Sequence, residues 1–173
     1  MASSQPSSGI PWLLAVAVMA SAAASTLVVA SRPVAAGVVA AGAVGASILA
    51  GLGARRFGAP RLVFADHAVE RVLEALLFGS VAWAAVPGEP WTAGAAVSAL
   101  IASYLASYLS AKAIGLGFEV HERVPYRSVR PFLAVVGLLF PRILDVALWA
   151  AAVISLEVVL RHGLSVARQR EPA

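Results

Sequence analysis

Long apolar runs alternate with short polar segments along the chain, and this alternation predicts membrane-spanning helices. The runs are close to the ~20 residues that a helix needs to cross a bilayer. Turn-forming residues separate them, as at Arg32-Pro33 and in segment 87–90. The fifth run is long enough only if its helix begins near Tyr126. We therefore predict an all-α, polytopic membrane bundle of about six transmembrane helices, with apolar spans at residues 10–30, 34–53, 72–86 (in a helix that begins near 62), 91–116, 131–140 and 143–160.

Composition agrees with a membrane bundle and excludes an ordinary soluble domain. Of the 173 residues, 60% are hydrophobic and 13% are charged, and the mean hydropathy is +0.85. Soluble domains are about 25% charged. No positive charge precedes the first apolar run, so we interpret that run as a retained helix rather than a cleaved signal. We predict a disordered N-terminus at 1–9, one transmembrane domain at 10–162 and a basic cytoplasmic tail at 163–173.

Positive charge is distributed unevenly between the two sides of the predicted bundle. Only Arg32 and Arg142 fall on one side, and the other eleven basic residues fall on the opposite side. Because lysine and arginine concentrate on the cytoplasmic side of membrane proteins, we predict that both termini are cytoplasmic. The same distribution explains the pI near 10.3 without nucleic acid as a partner. Abundant alanine, valine and arginine indicate a bacterial source, and therefore the bacterial inner membrane.

Segment 47–71 carries the chemistry that is most easily recognised in the sequence. Its skeleton reads Ser47-Ile-Leu-Ala50-Gly51-Leu-Gly-Ala54-Arg55. Asp66 and Glu70 follow, at a spacing that places both carboxylates on one face of a helix. The chain has no cysteine, which excludes thiolate metal sites and disulfides.

This segment resembles the signature of the CDP-alcohol phosphatidyltransferases, which reads Asp-x-x-Asp-Gly-x-x-Ala-Arg, a spacer, and Gly-x-x-x-Asp-x-x-x-Asp. Gly51, Ala54, Arg55 and Asp66 match this pattern, and Glu70 stands in the position of the fourth aspartate. Ser47 and Ala50 replace the first two aspartates, the spacer is shorter, and Leu62 replaces the second glycine. The resemblance implies the fold of that family and a reaction in which an acceptor hydroxyl displaces CMP from a CDP-linked lipid.

The resemblance also implies roles for single residues. Gly51, Ala54 and Arg55 are expected to bind the nucleotide, Asp66 and Glu70 to hold Mg²⁺ or Mn²⁺, and Glu70 to act as the catalytic base. Because two of the four carboxylates are absent, we expect weak metal binding and reduced or lost catalysis. An active phosphatidyltransferase with an altered metal site and a non-enzymatic scaffold or partner of an active paralogue are the alternatives. For Asp66 and Glu70, the competing interpretation is a solvated helix start that favours acidic residues.

A second charged cluster extends the resemblance towards the C-terminus. Segment 107–119 is similar to a motif of bacterial phosphatidylinositol phosphate synthases, and Arg127 and Arg130 match an Arg-x-x-Arg pattern that follows it. The resemblance implies that Lys112, Arg127 and Arg130 bind phosphate, although cytoplasmic anchoring requires the same residues equally well. We expect Arg55, Asp66, Glu70, Arg127 and Arg130 to converge on one polar cleft. Expected partners are membrane lipids, among them CDP-diacylglycerol, and a second copy or an active paralogue in a dimer.

Overall fold

A computed structural model describes residues 9–118 and 124–169, and for residues 124–127 it describes the backbone alone. These residues form six helices. No strand occurs in these two ranges. A short 3-10 turn, Pro141–Ile143, precedes the last helix. The helices are α1 (Gly9–Val29), α2 (Pro33–Arg56), α3 (Pro60–Ala85), α4 (Pro90–Gly115), α5 (Val124–Leu139) and α6 (Leu144–Arg168).

Proline marks the beginning of three of these helices. Pro33, Pro60 and Pro90 occupy the first turns of α2, α3 and α4. Proline is favourable there because its φ angle already suits a helix and its missing N–H has no partner to lose. Gly58, between α2 and α3, has a φ of +58°, a conformation that a side chain disfavours. The tight α2–α3 connection brings the two halves of segment 47–71 side by side.

The helices pack through small residues around a narrow apolar core. Helix α1 packs against α2 and α3, α4 against α3 and α6, and α5 against α2 and α6. Buried alanines line the crossings, which allows backbones to approach closely in a lipid environment. The largest buried apolar side chains are Leu73, Leu77, Phe78, Leu138 and Leu148. Polar side chains in this bundle must therefore collect at the ends of the helices or find partners inside it.

Four of the six helices are long and apolar enough to cross a membrane: α1, α2, α4, and the 3-10 turn together with α6. Helix α3 has 26 residues, but it carries Asp66, Glu70, Arg71 and Glu74. Helix α5 has 16 residues and continues through Pro131, as predicted from its need to begin before that proline.

The predicted number and positions of the helices are confirmed. Helix α6 continues to Arg168, past the residue at which we placed the start of the tail. The predicted disorder of the N-terminus lies outside the described residues, except for Gly9, which begins α1. Large apolar side chains such as Trp12, Phe64 and Trp83 are mostly exposed, as expected where lipid surrounds the bundle.

Candidate active site at the α2–α3 contact

Helices α2 and α3 touch at the two residues that the motif comparison singles out. A Cβ atom on Gly51 would lie 2.6 Å from Asp66 Oδ2, so any side chain at position 51 would displace the carboxylate. Ser47, one turn earlier on α2, lies with its Oγ 3.5 Å from Asp66 Oδ1. Ser47 and Asp66 are each 4% exposed. Gly51 therefore lets the backbone of α2 approach the carboxylate, and Ser47 supplies a distant, neutral neighbour.

Ala50 belongs to an apolar cluster and not to a polar site. It is fully buried with Ile10 and Leu14 at the start of α1. Ile10 also lies close to the neighbouring turn of α2, because a Cβ atom on Gly53 would be 3.2 Å from Ile10 Cδ1. The first turn of α1 thus covers the place where the family motif has its second aspartate.

Glu70 lies one helical turn beyond Asp66 and lines a small crevice against α2 and α5. Ser47, Ser128 and Pro131 form part of the same crevice. Glu70 Oε2 is 3.8 Å from Arg71 Nη2, and the Glu70 side chain is 12% exposed. The two motif carboxylates are therefore on adjacent turns of one helix, as predicted, and both are largely shielded from solvent.

The donor set at this contact does not fit a complete divalent metal site. Magnesium prefers six oxygen ligands in near-ideal geometry, and here Asp66 and Glu70 are the two carboxylates, with Ser47 as a neutral oxygen. Among the described residues, no group of three or more His, Asp or Glu side chains is arranged to hold a metal ion. Within the described part of the chain, this contact therefore offers fewer carboxylate ligands than the family motif provides, and weak metal binding stays a prediction.

The best-connected polar group in the described part of the bundle lies one turn further along α3, around Glu74. This carboxylate is completely buried, and Arg71 Nη1 lies 2.6 Å from its Oε2 atom. Arg130 of α5 approaches from the other side, with Nε 3.7 Å from Oε1. Ser103 of α4 donates its hydroxyl hydrogen to Glu74 and accepts from Arg71 Nη1 at 2.8 Å and Arg130 Nη1 at 3.0 Å. The Glu74 cluster, meaning Arg71, Glu74, Ser103 and Arg130, ties three helices together.

A cavity of about 440 Å³ opens beside this cluster, on a face of α3 that does not point to α2. Its polar lining consists of His67, Arg71, Ser107, Ser110 and Arg130. Both arginines of the Glu74 cluster thus border the cavity while sharing one buried carboxylate. Guanidinium groups that are fixed in this way are suited to bind phosphate or another anion.

The structure brings together some of the predicted site residues and separates others. Arg130 borders the cavity, whereas Lys112 lines a different groove between α4 and α6. Arg55 is exposed at the end of α2, and Ala54 is buried. The Arg127 side chain lies outside the described residues. Glu70 lines the crevice against α2 and α5, whereas Arg130 borders the cavity on another face of α3. The convergence of all five residues on one cleft and their functional roles therefore stay predictions.

Sequence reasoning missed the central role of Glu74 and Ser103. Glu74 follows Asp66 and Glu70 at the same four-residue spacing, which is the available signal. Ser103 lies among the small residues of α4, which are typical of helix packing in membranes. Glu157 and Arg161, four residues apart on α6, form an exposed ion pair.

The fold places the chain in a known structural class. No family model matches the sequence. The whole bundle has the fold of the CDP-alcohol phosphatidyltransferases, as shown by solved structures that superimpose over nearly its full length. One is phosphatidylinositol phosphate synthase of Mycobacterium tuberculosis in complex with manganese and citrate, with a TM-score of 0.72, 22% identity, and coverage of 90% of this chain and 81% of that one. The same enzyme with CDP-DAG bound gives a TM-score of 0.71 and 22% identity, covering 95% and 92%.

A curated sequence makes the relationship more specific. Phosphatidylinositol phosphate synthase of Corynebacterium glutamicum is 30% identical over 118 residues, which are 64% of this chain and 52% of that protein. The match thus spans about half the length of the curated relative. The chain is therefore similar in sequence to part of a phosphatidylinositol phosphate synthase, shares the fold of the solved enzymes, and has helices apolar enough to span a membrane.

Proposed function

We propose that this protein binds a CDP-linked lipid at the end of the bundle that carries Asp66 and Glu74, and that it transfers the phosphatidyl group slowly or not at all. One solved structure of the Mycobacterium tuberculosis enzyme holds manganese and another structure of the same enzyme holds CDP-DAG, so a divalent metal and a CDP-lipid are the natural ligands to test. The proposed lipid nucleotide would approach Gly51, Ala54 and Arg55. The proposed anionic acceptor would occupy the 440 Å³ cavity beside Arg71 and Arg130.

The observation that carries the proposal is the packing around Ala50. The transfer reaction requires that the phosphorus be made electrophilic while its bond to the CMP oxygen breaks, and that a base receive the proton of the attacking hydroxyl. Glu70 is positioned to be that base. The charge on the pyrophosphate needs dense opposing charge, but apolar Ile10 and Leu14 cover the position of one ligand and Ser47 occupies another. Binding can persist under these conditions, while bond cleavage loses its main electrostatic support.

The first experiment separates binding from transfer with purified protein and CDP-diacylglycerol. We expect the lipid nucleotide to raise the unfolding temperature, because a ligand that binds only the folded state stabilises it. We expect CMP release, with Mn²⁺ and a panel of alcohols that includes inositol phosphate, to stay within about twofold of the protein-free rate, since no complete metal site supports the transition state.

Arg55 and Arg56 provide a matched pair for the binding step. Both are exposed at the end of α2, but only Arg55 matches the family motif. Arg55→Gln should therefore lower the apparent affinity for CDP-diacylglycerol, measured by thermal stabilisation, about tenfold, which is the typical effect of losing one charge-assisted hydrogen bond. Arg56→Gln should leave this affinity unchanged. Equal effects would mean that the two arginines serve only as cytoplasmic anchors.

Two other results would favour the alternative functions. Mn²⁺-dependent release of CMP that Asp66→Asn abolishes would identify an active transferase with an altered metal site. Absence of both CDP-diacylglycerol binding and CMP release would favour a scaffold or a partner of an active paralogue, which co-purification with that paralogue would then test.

A further inference from the structure

A second, separate groove lies between the ends of α4 and α6. Its volume is about 180 Å³, and apolar side chains form most of its walls, among them Leu109, Leu116, Phe118 and Val166. The opposite ends of these two helices meet at the Trp91–Trp149 ring contact, with centroids 4.9 Å apart. The groove is therefore at the same end of the bundle as Asp66 and Glu74.

A buried hydrogen bond separates this groove from the cavity beside the Glu74 cluster. Ser110 of α4 and His162 of α6 are both buried, and their Oγ and Nδ1 atoms are 2.9 Å apart. Ser110 lines the 440 Å³ cavity, whereas His162 lines the α4–α6 groove. Because the two side chains satisfy one another across the boundary, they join α4 to α6 and make the groove a distinct site.

Lys112 gives the groove its charge. It is the one lysine of the chain, it lies in the last turn of α4, and it lines the groove with an exposed side chain. Among the residues that the structure describes, no carboxylate forms an ion pair with it. An apolar slot with an exposed ammonium group at the membrane boundary complements a molecule with an acyl chain and an anionic head.

We propose that the α4–α6 groove binds an anionic phospholipid of the surrounding bilayer, with an acyl chain along its apolar walls and the phosphate head at Lys112. Basic pockets between transmembrane helices on the cytoplasmic side are known to hold anionic headgroups. The site does not depend on the proposed transfer reaction, because the groove shares neither arginine of the Glu74 cluster. It also assigns Lys112 to a structural lipid rather than to the phosphate of a substrate.

The single lysine allows a direct test by amine acetylation with a neutral reagent, followed by peptide mass spectrometry. The experiment uses the Arg56→Lys variant. Position 56 is exposed at the end of α2, so the lysine introduced there reports the general effect of membrane charge on acetylation. The measured quantity is the acetylation rate of Lys112 divided by that of the introduced lysine. We expect this ratio to be about fivefold lower in vesicles of equal parts phosphatidylcholine and phosphatidylglycerol than in vesicles of phosphatidylcholine alone. Equal slowing of both lysines would overturn the proposal.

Gly163 offers a second variant that fills the groove without removing the lysine. A Cβ atom at this position meets nothing within 4 Å, and the residue lines the groove. Gly163→Phe should therefore block the acyl chain and abolish the protection of Lys112, while Gly163→Ala should retain it. Protection that persists in Gly163→Phe, or that appears only when CDP-diacylglycerol is added, would contradict a bilayer-lipid site.

Discussion

Two adjacent regions of α3 have opposite characters. Around Asp66, the nearest described neighbours on α2 are Gly51 and Ser47, and an apolar cluster lies beside them. Around Glu74, two turns later, arginines from two helices and a serine from a third surround the carboxylate. The first region is a close contact between two helices, whereas the second is a polar network that joins three helices.

The difference shows how a membrane bundle can use a buried acidic residue to join its helices. A buried carboxylate without a partner is costly, and Glu74 has arginine and serine partners within the protein that connect α3, α4 and α5. Glu74 therefore has a structural role, while metal binding by Asp66 and Glu70 and catalysis by Glu70 stay predictions.

The largest effect should follow from removing the Glu74 carboxylate. Glu74→Gln leaves Arg71 and Arg130 without their shared counter-ion, and losing one partner of a buried ionic network costs roughly 3–5 kcal/mol of folding free energy. Thermal or denaturant unfolding in detergent measures this loss. The control is Glu157→Gln, which breaks an exposed pair with Arg161 and should cost less than about 1 kcal/mol. Similar losses in both variants would show that the cluster does not carry the bundle's stability.

A smaller but specific effect is expected at Ala50. Ala50→Asp places a carboxylate against Ile10 and Leu14, and an uncompensated buried polar group costs about 2 kcal/mol or more. Combining it with Ile10→Ala opens the site to water and should recover about 1 kcal/mol through coupling between the contacting residues. The control combines Ile10→Ala with Ala36→Asp, which is equally buried but remote on the same helix. Recovery in both double variants would mean that Ile10 does not cover position 50.

Gly51 and Gly45 sharpen the comparison within α2. Gly51→Ala forces a methyl group against Asp66 and should destabilise the protein by about 1–3 kcal/mol, the usual penalty of overpacking. Gly45→Ala should be neutral or stabilising by up to about 1 kcal/mol, because a Cβ atom there meets nothing within 4 Å and alanine favours a helix. Thermal unfolding of the two variants measures this difference. Equal unfolding temperatures would contradict a close contact between Gly51 and Asp66.

A last experiment reports which side of the membrane carries both regions. Gly58 lies in the connection between α2 and α3, and the native chain has no cysteine. We predict that a Gly58→Cys variant resists impermeant thiol reagents applied outside intact cells and reacts after the membrane is opened, because basic residues flank this connection. Labelling from outside would place the Asp66 and Glu74 regions on the opposite side from our prediction.

The sequence was sufficient to predict the helices and much less informative about the site. Hydropathy and proline positions located all six helices, because lipid imposes length and composition on any spanning segment. Motif spacing correctly placed Asp66 beside Gly51 and Ser47. It could not reveal that Arg130 turns towards Glu74 while Lys112 faces another groove, because side-chain direction depends on how α4, α5 and α6 rotate against one another. Ile10 was equally invisible, since the apolar cluster that it shares with Ala50 joins residues forty positions apart.

The apolar cluster of Ile10, Leu14 and Ala50 also limits how the chain can change. An aspartate at position 50 would first make the protein less stable, because apolar side chains would surround the new carboxylate. A smaller residue at position 10 would first lose apolar packing. Each of the two changes is therefore disfavoured on its own, and this packing favours the persistence of alanine at position 50.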